Sequence, residues 1–243
     1  MFFSLLFFLT FALIYFNPKA GKNSWDKANR DSANLVPLAA ESLEAQVQIY
    51  SAKAYSWRGK FSQHTWIATK EKNADSYLIH FVVLWGTYFG SDGVVVTQRD
   101  LPDRRWFDAE PKIIFSASGI AAEKLIPQIY QAVEKYPYQK LYRAYPGPNS
   151  NTFVSFVIRS IPDLKVALPS NAIGKDWLCD KKGVKFFALS ESKTGVEFSV
   201  YGIFGFTLGL VEGVEINLLG LNYGIDFLHP AIKLPGVGRI GVN

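Results

Sequence analysis

The chain has 243 residues, enough for one substantial hydrophobic core or at most two small ones. Hydrophobic residues make up 49% of it and charged residues 19%, a balance that excludes extensive disorder outside the ends. The formal net charge is only +5, and the lysines and arginines are scattered along the chain. A nucleic-acid-binding protein usually concentrates its basic charge, so this composition argues against that class.

Cysteine and histidine are too few for the usual metal and disulfide frameworks. Cys179 is the only cysteine, which rules out a disulfide within the chain. The three histidines, His64, His80 and His229, have no metal-ligand spacing. We therefore expect no metal and no other cofactor.

The N-terminus carries an uncharged apolar run over residues 2–16. A bilayer span needs about 20 residues, whereas the apolar region of a signal peptide has about 7–15. The run therefore predicts a signal sequence or a short signal anchor within residues 1–22, followed by a polar tether over 23–43. A buried N-terminal helix is the alternative, although such a helix would have no polar face.

The orientation of this predicted anchor stays open. Basic residues follow the apolar run, and taken alone they would keep the domain in the cytoplasm: Lys19, Lys22, Lys27 and Arg30. The cleavage signal, with Pro18 and Ala20 at its key positions, is poor. We favour an uncleaved anchor in a bacterial inner membrane, with the domain in the periplasm and the N-terminal segment as its membrane contact.

Alternating apolar residues then predict a set of strands over 45–52, 61–69, 77–85 and 94–97. The third strand is apolar on both faces, which is typical of a central position. On the second strand His64 and Trp66 share one face, because strand side chains alternate.

Helical patterns follow. An apolar stripe predicts a helix from Ser118 onward, with Pro127 expected to kink or delay it. A further strand is predicted over 141–145. A second helix is expected to begin at Asn149 or Ser150, both good N-caps, and to end before Pro162.

The C-terminal part, residues 195–243, is rich in glycine. Its uncharged run over 198–211 predicts glycine-containing strands, with an interfacial or re-entrant membrane element as the alternative. Glu212 and Glu215, three positions apart, would point to opposite sides of a strand, which argues against a paired-carboxylate site. The neighbouring pair Lys175 and Asp176 follows a glycine and is predicted to be a solvated loop pair.

One stretch has the features of a reactive site. The turn over 146–148 places the Ser150 hydroxyl at a helix N-terminus, where backbone N–H groups favour negative charge. The following residues resemble the Asp-Cys-Ser-Gly-Phe-Val signature of papain-like cell-wall peptidases of the NlpC type, with Ser150 in place of the cysteine. In circularly permuted relatives the histidine strand precedes this helix, as His64 does here. The alternative is an ordinary helix cap with no chemical role.

The candidate site comprises seven residues. His64 would be the general base, Ser150 the nucleophile, and His80 a third member that orients His64. The groups that would hold the turn or the substrate are Asn149, Asn151, Thr152 and Trp66. His80 has a simpler interpretation as a satisfied core histidine, and His64 as a half-buried packing residue.

A second resemblance covers most of the chain. The segments that carry it are 57–59, 64–66, 145–153, 172–176, 212–221 and 233–239. They resemble an uncharacterised bacterial family catalogued as domain of unknown function 3750, whose members generally begin with an apolar segment. This resemblance implies no activity.

Together these patterns predict one α+β domain over 44–243, with an antiparallel sheet, packed helices, a permuted papain-like core and a glycine-rich β-type extension. Two functions follow. One is a hydrolase or acyltransferase acting on an amide or ester of the cell envelope, with peptidoglycan peptides or lipids as substrates. The other is a non-catalytic envelope binding or scaffold protein that uses the same cleft.

Overall fold

A computed structural model describes residues 8, 10–12, 14–17, 21 and 23–242, with the backbone alone at residue 87. Within these residues the chain is a mixed α+β protein, rich in strands. It contains two antiparallel sheets and two α-helices, joined by a long irregular loop and a small hairpin.

The first sheet has five antiparallel strands in the order β4-β3-β2-β1-β5. Their bounds are Gln46–Lys53 (β1), Gln63–Lys70 (β2), Tyr77–Val82 (β3), Val95–Asp100 (β4) and Lys112–Ser118 (β5). β1 and β2 pair along their whole length, from Gln46 opposite Lys70 to Lys53 opposite Gln63. The four alternating segments of the sequence therefore form neighbouring strands, and β5 joins them at the edge.

Two helices pack on one face of this sheet. Helix α1, Gly119–Lys135, runs through Pro127 rather than being delayed by it. Helix α2, Ser150–Ser160, is buried from Ser150 through Ile158. Because it has no solvent-facing side, α2 lies in the middle of the molecule, between the first sheet and the chain that follows it.

The strand predicted over 141–145 does not form in the described structure. This stretch has no neighbouring strand, and the N–H of Arg143 donates to the carbonyl of Pro148 instead. β5 was missed by the sequence analysis, because its mostly exposed and half-exposed residues lack the pattern of a half-buried strand.

The predicted anchor over 1–22 lies largely outside the described residues. Those that are described at 8, 10–12 and 14–16 are helical, and the Thr10 hydroxyl lies 3.0 Å from the Tyr223 hydroxyl. The predicted tether over 23–43 lies along the domain, where the Asp103 carboxylate accepts hydrogen bonds from Ser32 and Leu35. In the described part of the chain, no helix has the length and apolar character needed to cross a membrane.

The second sheet is a seven-stranded antiparallel meander in the order β14-β13-β12-β11-β10-β9-β8. Its bounds are Phe187–Leu189 (β8), Gly195–Val200 (β9), Phe204–Gly209 (β10), Gly213–Leu218 (β11), Leu221–Asp226 (β12), Ala231–Leu234 (β13) and Gly238–Gly241 (β14). The hairpin before it pairs β6, Cys179–Asp180, with β7, Gly183–Val184. The uncharged run over 198–211 is thus a strand pair, not a helix.

In an ordinary antiparallel sheet with one solvent-exposed face, the apolar side chains are buried and the polar ones exposed. In this second sheet the polar side chains are buried and the apolar ones exposed. Along β10 and β11 the glycine and polar positions are buried, whereas the alternate apolar positions are half exposed. Thr207 and Glu215, which are cross-strand partners, point inward. Their neighbours Phe206 and Ile216 point outward, with 40% and 48% of their surfaces exposed. The sheet therefore packs on the rest of the protein through its polar face.

An ionic cluster fills this polar interface, and we call it the buried ionic layer: Lys175, Asp176, Glu215 and Lys233. Lys175 Nζ contacts Asp176 Oδ1 and Glu215 Oε2, both at 2.9 Å. Lys233 Nζ reaches Glu215 Oε1 at 2.6 Å. Burial disfavours charge on Lys175, but the two carboxylates outweigh it and raise its pKa well above the usual value.

Amide groups complete the layer. The other oxygen of Asp176 accepts hydrogen bonds from Asn217 Nδ2 at 2.9 Å and Asn222 Nδ2 at 2.8 Å. Glycines leave room for such polar groups: a Cβ on Gly209 would lie 2.4 Å from an oxygen of Glu212. Every charge of the layer therefore has close partners, as burial requires.

Two expectations from the sequence were wrong here. Lys175 and Asp176 are not a solvated pair, since both are at least 97% buried. Glu212 and Glu215 do not lie on opposite sides of the sheet, because Glu212 belongs to the turn before β11 and folds back toward Ser192. Sequence spacing fixes the side of a residue only when both residues lie in the same strand.

We expect replacement of Lys175 by methionine to lower the free energy of unfolding by about 3–5 kcal/mol, because Asp176 and Glu215 would keep their charge without a partner. Urea unfolding of the full chain, followed by tryptophan fluorescence, measures the change. The matched control is Lys72→Met, which removes an exposed lysine 3.8 Å from Glu123 and should cost at most about 1 kcal/mol. Equal effects of the two substitutions would contradict a structural role of the layer.

Truncation after Thr194 should abolish cooperative folding. The truncation removes Glu215, Asn217 and Asn222, which are partners of Lys175 and Asp176. These two charges would lose those partners, and the part of the core that the second sheet covers would be exposed to water. Thermal melting by circular dichroism and size-exclusion chromatography test this. A monomeric truncated chain that melts cooperatively would show that the first sheet and its helices form an independent domain.

Candidate functional site

A cleft of about 460 Å³ opens where β2 begins and α2 begins. This volume lies in the range typical of small-molecule sites. His64 and Ser150, the residues that the sequence singled out, both line it. Seven aromatic residues line it, and they come from four separate parts of the chain: Tyr55, Trp57, Phe61, Trp85, Trp106, Tyr142 and Tyr145.

His64 is the most unusual polar group of the cleft. It is 94% buried, and its ring stacks on Trp106 with a centroid distance of 3.6 Å and an interplanar angle of 10°. Its Nε2 atom is buried with no hydrogen-bond partner in the described part of the protein. Burial lowers the pKa of His64 to about 3, so the ring is neutral at physiological pH.

The face on which His64 lies separates it from the start of α2. His64 shares the sheet face of Trp66, whereas the helices pack on the face of Ile67. The residue that meets α2 is Thr65, whose hydroxyl donates to Asn151 Oδ1 at 2.9 Å. His64 and Ser150 therefore line one cleft but lie on different sides of β2.

The start of α2 is held by its own cap. Asn149 Oδ1 accepts hydrogen bonds from the N–H groups of Asn151 and Thr152, at 2.9 and 3.2 Å. Asn149 Nδ2 donates to the carbonyl oxygens of Ala144 and Ile173. The two N–H groups that could bind an oxyanion after Ser150 are thus already used.

Asn151 and Thr152 are also engaged by the fold. Asn151 Nδ2 donates to the carbonyls of Gln63 and Ile173, and the Thr152 hydroxyl donates to the carbonyl of Gly174 at 2.8 Å. Gly174 itself has a φ of +100°, and a Cβ there would lie 2.4 Å from the Asn149 amide. This polar turn therefore fastens α2 to β2 and to the loop after it.

Ser150 is the first residue of α2 and is only 4% exposed. Its position at a helix N-terminus, in the wall of the cleft, matches the prediction. It is the one predicted reactive group that combines a hydroxyl, the helix end and access to the cleft. Asn149 and Asn151 line the cleft beside it.

The structure does not bring the remaining predicted site residues to the cleft. His80 lies on the opposite face from His64, between the hydroxyls of Thr69 at 3.1 Å and Thr97 at 2.9 Å. It cannot orient His64 across the sheet, and burial lowers its pKa to about 4. Thr152 is fully buried. Trp66 donates to the carbonyl of Pro102 and lines a separate cavity of about 270 Å³.

Several cleft residues escaped the sequence analysis. Trp106 lies in an irregular loop with no periodic pattern, so nothing in the sequence pairs it with His64. Trp57 and Arg58 were noted within the family-like segment 57–59, but no role was assigned to them. The high aromatic content, 15% of the chain, was the one available signal.

An apolar groove of about 560 Å³ adjoins the cleft. It lies between the described N-terminal residues and the short 3₁₀ turn Trp57–Lys60, and it shares Trp57 and Phe61 with the cleft. Lys60 Nζ donates to the carbonyl of Tyr15 at 2.8 Å across this groove. The cleft therefore continues toward the apolar N-terminal segment.

Comparison with known proteins gives a family but no activity. No curated protein and no solved structure matches the chain. The family described as "Protein of unknown function (DUF3750)" matches residues 44–177, which include the first sheet, both helices and the walls of the cleft. Because this match covers more than half of the chain, the protein belongs to that family.

Proposed function

We propose that this protein is a membrane-associated envelope protein that binds an amphiphilic ligand in the cleft, with His64 as the polar anchor. The ligand would carry an apolar chain and a neutral amide or ester group. The observation that carries the proposal is the buried Nε2 of His64, which has no partner among the described residues although it lies in the wall of a cleft.

A buried nitrogen without a hydrogen bond costs about 1–3 kcal/mol, and a ligand group that pairs with it would recover that energy. Because His64 is neutral, it suits an uncharged ligand group better than a carboxylate or phosphate. The stack on Trp106 holds the ring in one orientation. The cleft is thus pre-organised around one polar contact and a wall that includes seven aromatic side chains.

The apolar part of the ligand has its own place. The groove beside Trp57 and Phe61 leads from the cleft to the N-terminal segment. If residues 1–22 contact the inner membrane, as their apolar run suggests, a lipid or a lipid-linked peptide could enter the cleft from the bilayer. We propose that the domain lies at the periplasmic surface of that membrane.

A hydrolase or acyltransferase with a permuted papain-like core is the second candidate, favoured by Ser150 at the helix start in the same cleft. In that mechanism the Ser150 oxygen attacks the carbonyl carbon of the amide or ester, and a histidine takes the serine proton and passes it to the amine or alcohol that leaves as the C–N or C–O bond breaks. Two features make this less suited to the geometry. A histidine with a pKa of about 3 is a weak general base, and the backbone donors that follow Ser150 are bonded to Asn149.

Replacing His64 by phenylalanine should weaken binding about tenfold, because the ring can still stack on Trp106 while the nitrogen that anchors the ligand is lost. A fluorescent N-acyl alanine amide serves as the probe, and anisotropy of the full chain in lipid nanodiscs measures the affinity. The wild-type affinity should stay constant between about pH 5 and pH 8, because His64 keeps its neutral form throughout that range.

The matched control is His229→Phe, since His229 is exposed and lies outside the cleft. This variant should bind the probe as the wild type does. Failure of the wild-type protein to bind the probe would contradict the proposed ligand class. Equal affinity of the wild-type and His64→Phe chains would contradict the role of His64.

Serine-reactive fluorophosphonate probes should leave the protein unlabelled in membrane fractions, because burial lowers the pKa of His64, the histidine of the cleft, to about 3 and makes it a weak base for Ser150. The comparison is between the wild-type chain and Ser150→Ala, with a known serine hydrolase added as a positive control. Labelling that disappears in Ser150→Ala would overturn the binding proposal in favour of the hydrolase.

A further inference from the structure

The outward face of the second sheet is apolar across its five central strands. Every outward position of β9 to β13 carries an aliphatic or aromatic side chain. On β10 and β11 these are Phe204, Phe206, Leu208, Val214, Ile216 and Leu218. All polar side chains of the same strands, apart from the Tyr223 hydroxyl, point into the protein. We call this surface the apolar face.

The apolar face is as large as the largest exposed patches of soluble proteins. Five strands about 4.8 Å apart, four of them six residues long, cover roughly 24 by 20 Å, and the largest apolar patch on a soluble monomer is about 300–600 Å². It also continues into the turns at both ends of the strands. Leu210, Leu219, Phe227 and Leu228 have exposures between 58% and 71%.

The orientation of this face follows from the rest of the fold. The opposite face carries Glu215 and Lys233, which belong to the buried ionic layer, and Glu197, which bonds to Arg159 of α2 at 2.5 Å. If the other face of the sheet were turned inward, each of these charges would be separated from its partner. The charges could then reach water only if the core opened. The apolar face is therefore a stable feature of the folded protein.

The N-terminal segment indicates what covers the face. The Thr10 hydroxyl meets that of Tyr223, whose side chain lies on the apolar face beside Ile216. Phe11, Tyr15 and Phe16 of the same segment are 51–80% exposed, and the sequence of residues 1–7 is uncharged. A helix that is apolar on all sides belongs in a protein core or in lipid.

We propose that the apolar face rests on a lipid bilayer, beside the N-terminal segment, so that the second sheet lies flat against the membrane. Protein interfaces combine an apolar centre with about one hydrogen bond per 100–200 Å². The described strands β9 to β13 offer on this face no charged or amide side chain for such bonds. An uncharged, hydrogen-bond-poor surface matches the hydrocarbon boundary of a bilayer better than it matches a second copy of the chain.

The test places a fluorescent label on the face. Ile216, which is 48% exposed, is replaced by cysteine in a Cys179→Ser background and labelled with bimane. The full chain is then reconstituted with vesicles of phosphatidylethanolamine and phosphatidylglycerol that contain spin-labelled acyl chains. The matched control is Ile120→Cys in the same background, because Ile120 is a 72% exposed isoleucine on α1, away from the second sheet.

We expect the label at position 216 to be quenched by the spin-labelled lipid and protected from iodide in water, whereas the label at position 120 shows the reverse. A chain held only by its N-terminal segment would leave position 216 open to iodide, and that result would overturn the proposal. Protection without lipid quenching would also overturn it, and the mass of the particle in solution would then show whether a second copy covers the face. None of these outcomes depends on ligand binding in the cleft.

In a second measurement, Phe206→Glu should lower the partition constant of the protein for the same vesicles about tenfold, since one large side chain loses its transfer into lipid. The corresponding control, Ile120→Glu, should leave the bound fraction unchanged. Equal binding of both variants would contradict a contribution of the apolar face. Because Phe206 is 40% exposed, its replacement should leave the thermal melting temperature close to that of the wild type.

Discussion

The architecture depends on the buried ionic layer between the loop after α2 and the second sheet. Lys175, bonded to both Asp176 and Glu215, is the central group of this layer. Charges removed from water are stable only when each has a close partner of opposite charge or a hydrogen-bond donor or acceptor, so the layer admits one relative position of the two parts. This requirement fixes the second sheet on the protein through its polar face, and the side that faces away is apolar.

The same constraint connects the sheet to the cleft. The loop that carries Lys175 and Asp176 also supplies the carbonyls of Ile173 and Gly174, which bind the polar cap of α2. The cap in turn fastens the helix to β2, because Asn151 bonds to the backbone of Gln63 and to the Thr65 hydroxyl. The polar face of the second sheet is therefore connected, through the ionic layer and the short loop over 173–176, to the wall of the cleft in which His64 lies.

The site could be predicted only in part. His64 and Ser150 were singled out by residue type and by the helix N-terminus, and they line one cleft. Side chains alternate along β2, so Thr65 points to α2 whereas His64 points away from the helix, to Trp106. Trp106 lies 42 residues further along the chain in an irregular loop, so no local pattern indicates the stack.

The fold could be predicted more completely than the site. Four of the five strands of the first sheet and both helices follow from periodicity and caps.

The sequence by itself determined the local elements, the capped start of α2 at Asn149 and the strand character of the glycine-rich C-terminal part. Those features depend on neighbouring residues, whose spacing and conformational preferences are readable along the chain. Only the tertiary structure decided which face of the second sheet is buried, because alternation divides a strand into two faces without saying which of them meets the core. Nothing in the pattern around Glu215 indicates that it is buried, because its partner Lys175 comes from a distant loop, and Lys233 is buried with it as a second partner of the same carboxylate. Long-range pairing of charges, rather than hydrophobicity, selected the buried side.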